Sequence, residues 1–279
     1  MTTNDIAAGV RLNRVAGWNQ TAADWERFLR ISPEGCFVAA VDGAVLGTVT
    51  TISFEKRFAW VGMVLVEPEH RGKGIGTKLL QAAIDYLDRA GIPTIKLDAT
   101  PQGKPLYEKS GFVSEFEIER WILGSAKPHV NTPASAGNEE ISPAVLESIS
   151  HADRDVFGAD RSCLLASLHD EASEFTMTSR SGSALVGYAF GRHGLFADHM
   201  GPWMAQDVSS ARQLLEGFVG RSARQTLLVD CLKENTMAVT LLNSIGFTPS
   251  RLLTRMYRGP NSHPGIPAKL CAIMGPEFG

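Results

Sequence analysis

Apolar and polar positions follow regular periods along residues 1–123 and predict a mixed α/β domain. After an N-cap pattern at Thr21, apolar residues recur at three- and four-residue spacing, which indicates a helix. An Asp-Gly pair at 42–43 separates two β-rich runs, 37–41 and 44–52, and therefore predicts a hairpin. The mainly apolar run from Trp60 to Val66 indicates a buried strand.

The remaining elements of this half follow in chain order. An amphipathic stretch from Thr77 to Arg89 predicts a helix, which ends at Gly91. Residues 94–97 predict a short strand, 104–110 a short helix, and 112–123 an extended strand. The predicted order is helix, hairpin, strand, helix, strand, helix, strand. This order is typical of an α/β (α+β) domain with a mixed sheet.

The composition changes near the middle of the chain, where Ser, Pro, Ala, Gly and Asn replace large apolar residues. We therefore predict an N-terminal domain at 1–126, a linker at 127–142 and a C-terminal domain at 143–279. The segment 260–279 contains four prolines and is predicted to lie on the surface.

The second half repeats landmarks of the first. The pairs Leu79-Leu80 and Gly111-Phe112 recur 135 residues later as Leu214-Leu215 and Gly246-Phe247. Such register, kept over about 30 residues, predicts an internal duplication. The alternative is a chance match among common residues.

The strand from Trp60 leads into a loop that combines three glycines with two cations, Arg71 and Lys73. Thr77 then opens the helix. The N–H groups of a first helical turn point outwards, the helix dipole adds partial positive charge, and glycine lets a ligand approach the backbone. The pattern predicts a site for a phosphorylated ligand, and the alternative is a glycine-rich helix entry with no ligand. Neither the Walker spacing nor the Rossmann spacing is present.

The loop reads R-x-x-G-x-G after a strand that ends in V-x-P, and this resembles the pyrophosphate loop of the GNAT superfamily of N-acetyltransferases. A second match lies at 100–112, where Leu106, Tyr107, Lys109, Gly111 and Phe112 fit the family pattern. Thr100 and Gly103 replace the family's Asn and Ala. The chain resembles a tandem GNAT protein of bacterial type, which implies two domains, each a central mixed sheet flanked by helices.

The resemblance implies an acyltransferase that moves an acetyl group from acetyl-CoA to an amine of a small molecule, with no metal. It assigns Tyr107 as the general acid that protonates the leaving thiolate, and a packing role for this ring is the alternative. No base stands on the central strand at Trp60, Val61 or Gly62, so Glu55 and a water chain stay open. The implied coenzyme-binding residues are Val64, Leu65, Val66, Arg71, Gly72, Lys73, Gly74, Ile75, Gly76 and Thr77.

Two further functions stay open: a non-catalytic module that senses coenzyme A or another metabolite, and an acetyltransferase acting on protein N-termini or lysines. In the second half, Gln206, Asp207, Val208, Ser209 and Ala211 stand 135 residues after the loop positions. An acidic residue and added side chains there imply a degenerate domain that does not bind coenzyme A in the standard way.

Composition and charge limit the kinds of partner that the protein is expected to bind. The chain has 279 residues and a net charge of -3, so no overall basic field attracts nucleic acid or an anionic membrane. A homodimer stays open. The four cysteines form no C-x-x-C pair and are expected to be reduced core thiols rather than disulfides or metal ligands. Together with the absence of a signal-peptide pattern, this predicts a cytoplasmic protein.

Three groups of polar and aromatic residues are weaker candidates. The first group precedes or begins the first predicted helix and could touch substrate: Trp18, Asn19 and Asp24. The second group could complete a pocket: His193, Asp198, His199 and Trp203. The third group could be an ion pair or a cap: Asp160 with Arg161.

Overall fold

A computed structural model describes residues 1–124 and 140–279, so residues 127–139 of the predicted linker lie outside the described residues. The chain forms two compact units. The first contains Met1–Glu115, Arg255–His263 and Phe278, and the second contains Phe116–Thr254, Pro264–Glu277 and Gly279. These units differ from the predicted domains, 1–126 and 143–279, because each takes a strand segment from the other half of the sequence.

The first unit is a mixed sheet with helices. Its elements are α1 (Ile6–Ala16), α2 (Ala22–Ile31), β1 (Phe37–Val41), β2 (Ala44–Phe54), β3 (Phe58–Val66), α3 (Ile75–Arg89), β4 (Ile95–Ala99) and α4 (Lys104–Lys109). The strand order is β1-β2-β3-β4, followed by the last residues of β10 (Thr248–Arg258). Strands β1, β2 and β3 pair antiparallel, whereas β3 and β4 pair parallel. The predicted mixed α/β sheet is therefore confirmed.

The second unit repeats this order. Its elements are β5 (Val113–Leu123), α5 (Pro143–Phe157), α6 (Ser162–Glu171), β6 (Met177–Ser181), β7 (Ala184–His193), β8 (Asp198–Ala205), α7 (Val208–Arg221), β9 (Leu227–Leu232), α8 (Thr236–Ile245) and β11 (Leu270–Ala272), with the first part of β10. The strand order is β10-β5-β9-β11-β8-β7-β6. The repeat of helix pair, hairpin, strand and helix agrees with the predicted duplication. In the described parts of the chain, no helix has the length and apolar character needed to cross a membrane.

The core of the first unit lies between the sheet and the apolar face of α3. Five side chains of this face recur every three or four residues and are at most 4% exposed: Leu79, Leu80, Ala83, Ile84 and Leu87. They pack against Val49, Val61 and Leu97 of the sheet. Burial of each larger side chain contributes roughly 1.5–3 kcal/mol, so this face holds α3 and the loop before it in place.

Helix α2 begins where the sequence predicts, at the N-cap Thr21. The backbone N–H of Thr21 donates to the carboxylate of Asp24 at 2.8 Å, which forms a capping box. Asp24 is buried and also pairs with Arg27 at 2.8 Å. Helix α1 is not predicted from the sequence. It contains Gly9, which lowers helix propensity but leaves room for Trp25, since a Cβ on Gly9 would lie 2.6 Å from the indole.

The prediction of a surface tail at 260–279 is wrong for its second part. Residues 270–274 are at most 3% exposed, and Leu270–Ala272 form β11, which pairs with both β8 and β9. Three of the four prolines, at 260, 264 and 267, precede this segment. The apolar run that follows them is free of proline and can join a sheet.

Three cysteines are buried thiols, as predicted: Cys36, Cys231 and Cys271. Cys163 is exposed on α6, so the prediction of a core position is wrong there. The phase of an amphipathic helix decides which residues lie on its outer face, and a single cysteine does not reveal that phase.

Candidate active site

Strand β3 carries a bulge just before the segment predicted to meet the coenzyme. Thr48 of β2 lies opposite Leu65, whereas Thr50 lies opposite Gly62, so two residues of β3 face one residue of β2. Met63 adopts a left-handed φ of 53° at this point. The Thr48 hydroxyl donates to the Met63 carbonyl at 2.8 Å and holds the bulge.

Beyond the bulge, β3 and β4 no longer pair. Their parallel ladder consists of Ala59 with Ile95 and Trp60 with Lys96. On its other edge β3 continues to pair with β2 through Leu65 and Val66. The edge of residues 61–66 that faces β4 therefore has no ladder partner in the described parts of the chain. Such an edge can bind an extended ligand that carries amide groups.

The loop after β3 turns through two left-handed glycines. Gly72 has a φ of 74° and Gly74, the N-cap of α3, has a φ of 81°. Within the described residues no side chain caps this helix, so its first-turn N–H groups remain available to an anion. Arg71 and Lys73 are exposed, and the Arg71 Nε donates to the Val66 carbonyl at 3.0 Å. The loop thus presents two cations beside a helix N-terminus.

The first turn of α3 brings strand, loop and α4 together. A Cβ on Gly76 would lie 3.6 Å from Val66 and 3.9 Å from Leu106 of α4. Ile75 and Gly76 are half-buried, and Thr77 is exposed. The end of β3, the first turn of α3 and Leu106 of α4 therefore lie side by side.

Tyr107, the predicted general acid, lies on α4 and is 8% exposed. Its ring packs edge-on against Phe112, with 6.1 Å between the ring centroids, and a Cβ on Gly103 would lie 3.0 Å from it. Burial raises the pKa of Tyr107 to about 12. Among the described residues, no hydrogen bond reaches its hydroxyl.

No base is found on the central strand. Trp60, Val61 and Gly62 are buried strand residues without a proton acceptor. Glu55 lies in the turn between β2 and β3 at a φ of 49° and pairs with Arg57 at 3.5 Å. This turn is partly exposed, and the Glu55 carboxylate takes part in an ion pair at the surface.

A buried ion pair on β4 is not predicted from the sequence. Arg255, from the end of β10, donates two hydrogen bonds of 2.9 Å to Asp98. Its guanidinium also lies 4.5 Å from the centre of the Trp60 ring. The second unit builds the equivalent pair from Arg120 of β5 and Asp230 of β9, at 2.7 and 2.6 Å. No local pattern marks these residues as partners, because each pair joins strands that are distant in the sequence.

In the second unit, the connection before the helix differs in length as well as in sequence. Residues 206–207 alone link β8 to α7, whereas residues 67–74 link β3 to α3. The position-by-position comparison at an offset of 135 therefore does not hold throughout this connection, which has eight residues in the first unit and two in the second. Ser209 and Ala211 lie inside α7. Asp207 caps α7 by accepting from the Ser210 N–H at 2.8 Å, and this bond lowers the pKa of Asp207.

The other candidates are explained by structural contacts. His193 lies between Asp198, at 2.9 Å, and Glu174, at 3.0 Å. Trp203 is fully buried, and so is His199, which lies 3.2 Å from an Arg192 nitrogen. Arg161 pairs with Asp153 rather than with Asp160, whose carboxylate instead accepts from the Ser162 N–H. In the first unit, Asn19 is buried and Trp18 half-buried.

Two family models match the chain and together cover most of it. The acetyltransferase (GNAT) family matches residues 12–112, and the acetyltransferase (GNAT) domain matches residues 149–270. The chain belongs to the GNAT family of acetyltransferases. It is therefore an acyltransferase with two GNAT domains in tandem, as predicted.

Relatives and a solved structure extend over both GNAT domains. Holothin acyltransferase of Pseudoalteromonas sp. (strain SANK 73390) is 25% identical over 263 residues, which are 94% of this chain and 87% of the relative. N-acetyltransferase YitH of Bacillus subtilis (strain 168) is 26% identical over 207 residues, 74% of this chain and 72% of the relative. A putative acetyltransferase from Pyrococcus horikoshii shares the fold with a TM-score of 0.82 and 20% identity, and the match covers 100% of this chain and 94% of that one.

Proposed function

We propose that the first unit binds acetyl-CoA and transfers its acetyl group to an amine of a small molecule. The observation that carries this proposal is the parting of β3 from β4 directly before the glycine loop. An extended pantetheine arm can pair with the edge of β3 that faces β4, at Val64, Leu65 and Val66, because it carries amide groups. Its pyrophosphate then meets the N–H groups from Gly74 to Thr77, with Arg71 and Lys73 beside it.

In this arrangement both β3 and α4 contribute groups to the reaction. A main-chain N–H of β3 polarises the thioester carbonyl while the amine nitrogen attacks the carbonyl carbon. The C–S bond breaks, and the departing thiolate takes the proton of the Tyr107 hydroxyl. The attacking nitrogen loses one proton as the amide forms, and this proton restores Tyr107. With a pKa of about 12, the tyrosinate is basic enough to accept it.

The site constrains the identity of the acceptor amine less than that of the acetyl donor. Holothin acyltransferase, whose match covers 94% of this chain and 87% of the relative, is named for acyl transfer to holothin. This favours a small-molecule acceptor over a protein. A screen of small-molecule amines beside N-terminal peptides tests this choice, and turnover of the peptides alone would overturn it.

Calorimetry with acetyl-CoA should find one site per chain, because among the residues that the structure describes only the loop at 67–74 is open to a pyrophosphate. Gly74→Asp should weaken binding at least tenfold, since it places a carboxylate at the helix N-terminus where the phosphates would lie. No atom lies within 4 Å of the added Cβ, so the effect comes from charge and from the φ of 81° rather than from a clash.

Gly91→Asp is the matched control. Gly91 follows the C-terminal end of the same helix, has a φ of 71° and has an equally open Cβ position. It carries the same backbone cost but lies at the opposite end of α3. Equal losses of affinity in the two variants, or two equivalent sites in the wild type, would contradict the proposed site.

A further inference from the structure

The second unit fills with its own chain a cleft that the first unit leaves open. Strands β8 and β9 pair at their start, up to Met200 with Val229. Beyond this point they part, as β3 and β4 do, but β11 lies between them. Ala272 of β11 faces Trp203 of β8 and Cys231 of β9. We call this gap, beyond Met200 and Val229, the β8–β9 cleft.

The backbone of the tail fits the β8–β9 cleft closely. The Ile273 N–H donates to the Asp230 carbonyl at 3.0 Å, as a neighbouring strand would. On the opposite side, the Ile273 carbonyl lies against Gly201, where any Cβ would come within 2.0 Å of its oxygen. Glycine at position 201 is therefore required for this approach.

Helix α8 also holds the tail. The Asn235 side chain caps α8 by accepting from the Ala238 N–H at 3.0 Å. The same side chain donates from its amide nitrogen to the Leu270 carbonyl at 3.1 Å. In the first unit, the Thr100 side chain precedes α4 and accepts from the N–H of Gly103, the N-cap residue, at 3.1 Å. The amide of Asn235 is thus used to bind the tail.

Residues after β11 are fixed by buried arginines. Arg192 donates to the Met274 carbonyl at 3.1 Å and forms a buried ion pair with Glu277. Arg161 donates to the Gly279 carbonyl at 2.6 Å. Both arginine side chains are at most 2% exposed. Because these contacts are deep in the unit, the tail is part of its core.

We propose that residues 270–274 are a permanent internal occupant of the β8–β9 cleft, an extended chain in the place that the first unit keeps for the arm of its coenzyme. This inference rests on the function proposed for the first unit. The Asp207 carboxylate fills the matching position at the N-terminus of α7. The second unit is therefore complete without a ligand and binds no coenzyme.

Hydrogen exchange of the full chain, read by mass spectrometry with and without acetyl-CoA, tests this inference. Amides of 270–274 should exchange as slowly as those of β8 and should not respond to acetyl-CoA. Faster exchange of 270–274 on adding acetyl-CoA, or exchange as fast as that of 264–269 without it, would overturn the inference. Residues 71–78 report separately on the first unit, where acetyl-CoA should slow exchange. If 71–78 do not respond, the proposed function fails, while slow exchange of 270–274 still supports a fixed occupant.

Asn235→Ser removes the amide that holds the tail. Serine keeps a capping oxygen for α8, but it lacks the amide nitrogen that donates to the Leu270 carbonyl at 3.1 Å and to the Cys271 Sγ at 3.7 Å. Exchange of 270–273 should rise by about 2- to 10-fold, the equilibrium equivalent of one ordinary hydrogen bond. Asn243→Ser is the matched control, because Asn243 lies on the same helix and donates within it, to the Val239 carbonyl. Equal exchange in the two variants would show that the tail is not held as described.

Discussion

Replacing Tyr107 with phenylalanine should leave acetyl-CoA binding nearly unchanged and lower kcat by about 10²- to 10⁴-fold. The substitution keeps the ring that packs on Phe112 and removes only the hydroxyl proton. Because that proton is needed as the thiolate leaves, the loss belongs to the transition state and appears in kcat rather than in KM. Steady-state kinetics with an acceptor from the amine screen measures both constants.

Tyr86→Phe is the matched control for this variant. Tyr86 is another tyrosine of the first unit, on α3, and its ring also packs edge-on against a phenylalanine, Phe37, at 5.9 Å. Removal of its hydroxyl should leave kcat within about twofold, because Tyr86 is half-buried and lies about three turns along α3 from the glycine loop. Full turnover in Tyr107→Phe would remove this residue from the mechanism. Weaker coenzyme binding with an unchanged kcat would make Tyr107 a positioning residue.

The pH dependence gives a second test of the same role. Burial raises the pKa of Tyr107 to about 12, so the phenol stays protonated throughout the neutral and moderately alkaline range. The ratio of wild-type to Tyr107→Phe kcat should therefore stay constant between about pH 7 and pH 9. Both enzymes should become faster over this range as the acceptor amine loses its proton. A ratio that falls towards one at pH 9 would mean that Tyr107 ionises too early to act as the acid.

The elements that carry the candidate site could be predicted from the sequence because their signals are local. Strand β3, the glycine loop and α3 follow one another directly, and the amphipathic period and the glycines mark each boundary. Tyr107 lies in a short helix whose flanking pattern is equally local. The positive φ values at Gly72 and Gly74 are what a loop of this composition needs to turn into a helix.

The pairing of distant strands could not be predicted in this way. Nothing near residue 255 shows that the end of β10 lies beside β4, and nothing near β5 shows that it pairs with β9. The segment 270–272 is too short for a periodic signal, and the prolines before it suggest a surface loop. Bulge and cleft geometry likewise depend on contacts such as the Thr48 hydroxyl with the Met63 carbonyl. These features arise from tertiary packing, which overrides local preference.

Replacing Arg255 with alanine should lower the free energy of unfolding of the first unit by about 3–5 kcal/mol. Asp98 has a fully buried side chain, and Arg255 provides two hydrogen bonds of 2.9 Å to it. Removal of the guanidinium leaves a buried carboxylate without that partner and takes away the cation that packs on Trp60. Urea unfolding followed by circular dichroism measures the loss. Hydrogen exchange of residues 94–99 locates the loss on β4.

Arg258→Ala is the matched control, because Arg258 follows Arg255 closely on the same strand. Arg258 also makes two hydrogen bonds to an aspartate, Asp88, at 2.9 and 3.2 Å. That pair is solvent-exposed, at 35% and 46%, so its removal should cost at most about 1 kcal/mol. The difference between the two variants therefore measures burial rather than the number of hydrogen bonds.

A double variant separates the cost of an orphaned charge from the value of the pair. Asp98→Leu combined with Arg255→Met replaces both charges with apolar side chains and should recover most of the stability lost in Arg255→Ala. If the double variant is as unstable as the single one, the pair contributes through its geometry and not through compensation of charge. If Arg255→Ala unfolds like Arg258→Ala, the end of β10 is not fastened to β4 through Asp98. A large loss in the first unit from a change at residue 255 would show that this unit needs a strand from the far end of the sequence.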